Sequence, residues 1–482
     1  MAARRWLVCV LVLSLAAAPA AAQRGKNPLE EMFKASRREV PEGNFSEPFN
    51  RMRNGNVALD PPSDADRKVL EDVARTVIYP VTHYELYSPP DSATAELAPR
   101  PDERTVSRQV TELRGRLVVI TPGDNLIPGP KVDFAREFGA AGVKAINEVL
   151  EKADKPIIRA NAVRMLAVLA ESGAPAVTDK LVELLQQKDK GLSVEMLYWA
   201  LKGAEKAIAM YDPGRSAEAQ KWVTRDKFFT LVSLVDEVVL KVPAVVAEKT
   251  YHPEKPNTGT LTTDPKAPPK PAGLTPEQVA TVQMFRLQAV RALAEVKTDV
   301  VYDSKREKER KTLLTLAKVA VSDPSIAPPP SFKEIGEAVY GLVNATPTHD
   351  DLDGGVLGAA IARGVSDSVG EKAAAERGGE TGPQAAHWKL TGARMKVALA
   401  AWEATLAAPR TRLDKAAKDD LRSLSQLAVA SVYDPLSKQS DTGVVSGLKK
   451  EDIDDWYSKK VGGLTTTALF KNADDTKLTL RK

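Results

Sequence analysis

Between Asp154 and Asp189 the apolar residues recur at a spacing that a pair of packed helices satisfies. Ile158, Ala162, Met165, Leu166 and Leu169 fall at i, i+4, i+7, i+8 and i+11, one stripe along one helix face. Gly173 and Pro175 interrupt that stripe, and Val177, Leu181, Leu184 and Leu185 repeat i, i+4, i+7, i+8 on a second. Pro156 stands where the first helix begins, a position whose N–H has no intrahelical partner. Neither stripe can be buried alone. Facing each other, they contribute roughly 1.5–3 kcal/mol for each large side chain taken from water. Aromatic residues are only 5% of the chain, and small aliphatic side chains, which suit close helix packing, dominate. The fold class expected is all-α.

The segment Asp154-Lys155-Pro156-Ile157-Ile158-Arg159, followed by Ala162, Leu166, Gly173, Val177, Leu181, Leu184 and Leu185, resembles a HEAT repeat. That resemblance implies an armadillo-like α-solenoid, or stacked helical hairpins, in which Asp154 and Arg159 bridge neighbouring units near the turn. The next helix, with Val194, Leu197, Leu201, Ala204 and Ile208, reads as the start of a second unit. Arg286 to Ala294 is similar to Arg159 to Ala167, and Thr275 and Gln278 have capping-box spacing at its helix start. Arg394 to Trp402 is a looser match, with Ala401 where leucine is expected. Met210-Tyr211-Asp212-Pro213, Val321-Ser322-Asp323-Pro324 and Val432-Tyr433-Asp434-Pro435 read as three similar helix ends, their aspartates 111 residues apart. Equal spacing suggests related modules that stack on one another; Asp-Pro is also a common helix stop.

Around these segments the chain divides by composition. Residues 1–22 have the parts of an export signal: Arg4 and Arg5, an apolar run from Trp6 to Leu15, and Ala20-Ala21-Ala22 before the cleavage expected after Ala22. The remaining 460 residues, at ~150 per domain, make roughly three domains or one elongated array. Residues 23–62 are polar and proline-rich and read as an extended arm. Ser63 caps a helix bearing Leu70, Val73 and Val77. Tyr79, His83, Tyr84 and Tyr87 behind it read first as a helix-end packing cluster, with a ligand or partner site as the alternative. Residues 63–130 form this helix plus an irregular segment in which Leu117 to Ile120 is a short strand or the end of a helix begun near Glu103. A first helical module is expected over 131–252, a proline-rich linker or loop over 253–274, and a second helical region with weaker repeats over 275–435. Within that region Gly354 to Gly382 is either a buried helix or a mobile loop. Residues 436–482 read as a polar tail.

Charge and cysteine usage narrow the function. Lys and Arg number 68 against 64 Asp and Glu, a balance that gives no general attraction to nucleic acid or anionic lipid. The run Lys305 to Lys311 mixes both signs and reads as a solvated helix face. After Leu15 the sequence has no stretch of about 18 apolar residues, so no transmembrane anchor is expected. The only cysteine, Cys9, lies in the export signal, which leaves the mature chain without disulfides, thiolate metal sites or a cysteine nucleophile.

No catalytic, cofactor-binding or metal-binding residue is assigned. His83, His252, His349 and His387 are far apart in sequence. Ser446-Gly447-Leu448-Lys449 has the Ser-x-x-Lys spacing of some acyl-enzymes but lacks their companion motifs. His349 to Gly354 hints at a calcium loop, but Ala360 stands where an EF-hand needs its closing carboxylate. Trp199, Trp222, Trp388, Trp402 and Trp456 are scattered and read as core or groove residues. The function expected is therefore that of a secreted, non-enzymatic helical-repeat scaffold that binds a protein or cell-envelope partner through a groove, without cofactor. The alternative is an enzyme or small-ligand receptor whose site is assembled from separate modules, marked by a pocket holding two or more of the histidines with acidic partners.

Overall fold

In a computed structural model the described residues are 47–82, 106–117, 129–189, 191–211, 224–242, 245–246, 274–377, 385–440, 443–471 and 473–480. Residues 1–22, read from the sequence as an export signal, and His83, Tyr84, Tyr87, Val118 to Ile120, Asp212, Trp222, His252 and the proline-rich segment 253–273 lie outside them. The helices are α1 (Glu47–Arg53), α2 (Asp64–Ile78), α3 (Val106–Arg116), α4 (Pro130–Lys152), α5 (Pro156–Leu169), α6 (Pro175–Gln186), α7 (Val194–Met210) and α8 (Arg225–Leu240). They continue with α9 (Pro276–Ala294), α10 (Thr312–Ala320), α11 (Phe332–Asn344), α12 (Gly354–Arg377), α13 (Ala385–Ala407), α14 (Lys415–Ala428), α15 (Asp434–Ser437) and α16 (Lys450–Gly462). A hairpin of two-residue strands, β1 (Val301–Tyr302) with β2 (Glu309–Arg310), is the only sheet among the described residues. The chain is all-α.

From α2 onward its packing follows one rule: each helix lies against the second one along. The odd-numbered helices from α3 to α13 form one row of successive contacts, and the even-numbered helices from α2 to α14 form another. Contacts such as α4 with α5, α6 with α7 and α10 with α11 join the two layers. The stripes read from the sequence are the surfaces buried between them. Ile158, Met165 and Leu166 of α5, Val177, Leu181 and Leu185 of α6, and Leu197, Leu201 and Ile208 of α7 are all buried.

Local chemistry sets the ends. Ser63 Oγ accepts from the Asp66 amide at 3.1 Å and starts α2. Thr275 and Gln278 exchange the two bonds of a capping box at α9, and Ser331 and Glu334 do the same at α11. Gly173 turns the chain between α5 and α6 at φ +68°, a left-handed geometry that glycine adopts without a Cβ penalty. Leu117 is buried directly after α3; the rest of that apolar run lies outside the described residues. Residues 354–377 are the helix α12, buried along most of its length.

Four local expectations need correction. The arm expected over 23–62 is not extended throughout, because Glu47–Arg53 is the helix α1, with Phe49 and Met52 buried. Its anchor is aromatic: the Phe49 ring meets Phe134 and Phe138 edge-on at 5.4 and 5.5 Å. The polar tail expected over 436–482 contains α16, packed on α12, and buries Ile453, Tyr457, Leu469, Phe470 and Leu478. The run Lys305 to Lys311 is not a helix face but the exposed turn and second strand of the hairpin. Asp303 Oδ1 accepts from the amides of Glu307 and Lys308 at 2.8 and 3.3 Å, a local alternative to helical bonding. Finally, Asp434-Pro435 does not end a helix: α14 runs through a π-helical turn, Val429–Tyr433, directly into α15. Asp323-Pro324 does follow a helix end.

Candidate functional surface

Along the row of odd-numbered helices runs a connected set of charged and aromatic side chains, some half-buried and some, such as Phe285, Gln288 and Trp388, buried. On α5 the Arg164 guanidinium lies 4.9 Å from the Trp199 ring of α7. Lys202, one turn beyond Tyr198, places its ammonium 5.5 and 5.6 Å from the Tyr198 and Trp199 rings. Tyr198 meets Phe285 of α9 edge-on at 6.2 Å, and Gln288 of α9 donates to Glu205 of α7 at 2.6 Å.

The set continues from α9 to α13 through ion pairs. Arg291 Nε donates to Glu337 Oε1 of α11 at 3.1 Å, and Arg394 Nη1 of α13 donates to Glu337 Oε2 at 2.6 Å. One carboxylate is thus shared by guanidinium groups from two helices. Arg394 also lies 3.6 Å from Glu295 and stacks 3.5 Å from the Tyr340 ring centroid. Burial works against the Arg394 charge, yet Glu337 and Tyr340 hold its pKa above the ordinary value. Burial raises the Glu295 carboxyl, partly offset by Lys297 and Arg394.

At the end of this surface, Phe332 stacks on Trp388 at 5.1 Å, with the His387 ring 6.0 and 5.3 Å from the two. Burial and then the neighbouring Lys333 charge lower the His387 pKa. These rings and Glu337, Tyr340 and Arg394 line a cleft of about 30 Å³ between α11 and α13, room for one or two water molecules. A second cavity, about 10 Å³, is lined by valines of α8, of the segment after it and of α9, with Phe285 and Arg286. Arg286 Nε is bonded to buried Glu334 at 2.5 Å. Both cavities are water-sized.

Exposed apolar residues mark the same layer. Among the described residues, the large hydrophobic side chains left exposed are Ile157, Met284, Leu390, Val397 and Val444. Four of these five belong to odd-numbered helices, namely α5, α9 and α13; Val444 lies in a loop. Leu390 and Val397, 71% and 73% exposed, flank Arg394 at i−4 and i+3 on one face of α13.

The residues singled out from the sequence fall in various places. His349 lies before α12, its Nδ1 accepting from the Asp351 amide at 3.2 Å and its ring 5.4 Å edge-on to Phe470. It is not part of the cleft that holds His387. Asp353 Oδ1 accepts from the Gly355 and Val356 amides at 2.9 and 3.0 Å, so it serves as the helix cap of α12. Among the described residues no three His, Cys, Asp or Glu side chains gather in a metal-binding cluster. Ser446 to Lys449 forms a turn before α16, with Gly447 at φ +82°. Trp388 and Trp402 are buried, and Trp199 is half-buried. Tyr79 is buried and its hydroxyl donates to Glu148 of α4. Arg159 Nη1 donates to the Leu150 carbonyl at 2.6 Å, while Asp154 is exposed. Arg291, Glu337, Tyr340 and Arg394 carry the surface, and sequence reasoning assigned none of them a role. No helix among the described residues is long and apolar enough to cross a membrane.

No protein-family model matches the chain, and no curated protein or solved structure is significantly similar to it.

Proposed function

We propose that this protein is an exported, non-enzymatic scaffold of HEAT-like stacked helical pairs. It binds a protein or cell-envelope partner along the outward face of its odd-numbered helices. The observation that carries this reading is the distribution of exposed large apolar residues, four of five on odd-numbered helices, beside a connected set of charged and aromatic side chains. Water is a poor neighbour for Leu390 and Val397, and burying them against a partner recovers the hydrophobic free energy that the monomer leaves unused. Stacking of each helix on the second one along fits the repeat architecture implied by residues 154–210. Arg159 departs from that pattern, because it caps the α4 carboxyl end through Leu150.

Affinity capture from a native extract tests the proposal when run with wild type beside a Leu390→Asp/Met284→Asp variant of unchanged circular dichroism. We expect a defined partner that the variant fails to retain. Recovery of the same partner by both proteins would remove the odd layer as the binding surface.

A further inference from the structure

We infer that two copies of this chain pair through the outward face of α13, antiparallel about a two-fold axis. α13 is apolar on both sides. Inward, Trp388, Met395, Leu399, Trp402 and Leu406 are buried. Outward, Ala386, Leu390, Ala393, Val397, Ala400, Ala404 and Ala407 are exposed, and they follow one another in alternating steps of four and three residues. That spacing is the heptad seam of a coiled coil, and every position of it from Ala386 to Ala407 is apolar. A helix that is apolar all round is ordinarily covered all round. Leu390 and Val397, the largest side chains in the seam, are also the most exposed large hydrophobic residues among those described.

Size and charge both point to a second copy as the occupant, and to the antiparallel sense. About a two-fold axis between residues 398 and 399, Leu390 faces Ala407 of the second copy, Ala393 faces Ala404, and Val397 faces Ala400. Each large side chain then meets an alanine, as knobs meet holes. Parallel pairing would set Leu390 on Leu390 and Val397 on Val397, with Lys389 against Arg394 of the other copy. The antiparallel register instead brings Lys396 within two residues of the level of Glu403 of the second copy, twice by symmetry. Each suits the other. Asp434 is shared by Lys396 and Lys438, which leaves one ammonium over. Glu403 accepts from Ser425 Oγ at 3.1 Å and meets no cation among the described residues. Arg394 is already answered by Glu337, and Lys389 and Arg410 stand exposed at the ends of the seam, where water and salt screen them. Most seam positions are alanine, so the pairing is small and reversible, at the weak end of specific interfaces. It requires no external partner, and such a partner competes with it for Leu390; in dilute protein that seat is open.

Sedimentation equilibrium of the full chain between about 1 µM and about 1 mM tests the pairing. Wild type is expected to dimerise with a dissociation constant on the order of 100 µM, and Val397→Lys, of unchanged circular dichroism, at least ~tenfold more weakly. A wild type that stays monomeric throughout, or a dimer indifferent to Val397→Lys, would overturn the inference. Orientation is read by disulfide trapping with diamide in a Cys9→Ser background. A mixture of Val397→Cys and Ala400→Cys chains is expected to form the mixed disulfide about tenfold faster than either chain joins its own kind. Faster joining of Val397→Cys to itself would mean parallel pairing and overturn the antiparallel seam. Failure of partner capture with the dimer intact removes the scaffold reading alone, and failure of the dimer with capture intact removes the pairing alone.

Discussion

Asp236 of α8 is 1% exposed, and its Oδ1 atom has no hydrogen-bond partner. Burial pushes its carboxyl up to about 6 from an ordinary 3.8, only partly opposed by Thr315 and Arg310. Between those values the folded chain holds a proton that the unfolded chain releases, so stability falls as pH rises through the window. The contribution is full below about pH 4 and lost above about pH 6, on the order of 3 kcal/mol. Asp236→Asn removes the titration. The urea midpoint of wild type relative to this variant is predicted to drop between pH 4 and pH 7; a constant difference would mean that Asp236 ionises as it does in water. Leu166, fully buried on α5, supplies the apolar counterpart. Leu166→Ala is expected to cost ~2–5 kcal/mol through the cavity it opens, whereas Lys305→Ala in the exposed hairpin turn changes stability by less than ~0.5 kcal/mol. Equal melting temperatures for the two variants would contradict the packing described.

At the level of elements, close approach between second neighbours is what the layers demand. A Cβ on Gly341 of α11 would stand 2.8 Å from the Ala294 backbone of α9 and 2.7 Å from Leu316 of α10. Gly115 of α3 has nothing within 4 Å of that position. Gly341→Ala is therefore predicted to destabilise by ~1–3 kcal/mol despite better helix propensity, and Gly115→Ala to stabilise by ~0.4–1 kcal/mol. Denaturant titration separates the two, and a stabilising Gly341→Ala would show that α9 and α11 are not in contact. Elements of this kind were legible where the sequence marked a helix start, by a cap in α2 and α9 and by a first-turn proline in α5 and α6. They were not legible where distant partners decide the structure. α1 has only Phe49 and Met52 to bury, and its fate rests on Phe134 and Phe138 some 85 residues away. α16 likewise depends on α12 for the burial of Ile453 and Tyr457. The hairpin at 301–310 was hidden by a lysine- and arginine-rich run of good helix formers. Asp226 of α8, which accepts from the Ser304 amide at 2.7 Å and its hydroxyl at 2.8 Å, holds the turn in place.

Across the whole molecule, alternate helices bring together residues that no local rule relates. Arg291 and Glu337 are 46 positions apart, and Arg394 and Glu337 are 57. Arg291 and Arg394 fall within the segments that echo the repeat, but Glu337 and Tyr340 lie in α11, where no echo was read. The surface was invisible in sequence for that reason, although the stacked-pair architecture beneath it was not. Its unity is the central claim, and side-chain footprinting tests it most directly. Hydroxyl-radical oxidation of Tyr198, Trp199, Met284, Tyr340 and Leu390 would be measured with and without the captured partner. The account predicts that all five, drawn from α7, α9, α11 and α13, are protected together at one partner concentration. Protection confined to a single helix, or found instead on α4, α6 and α8, would contradict it.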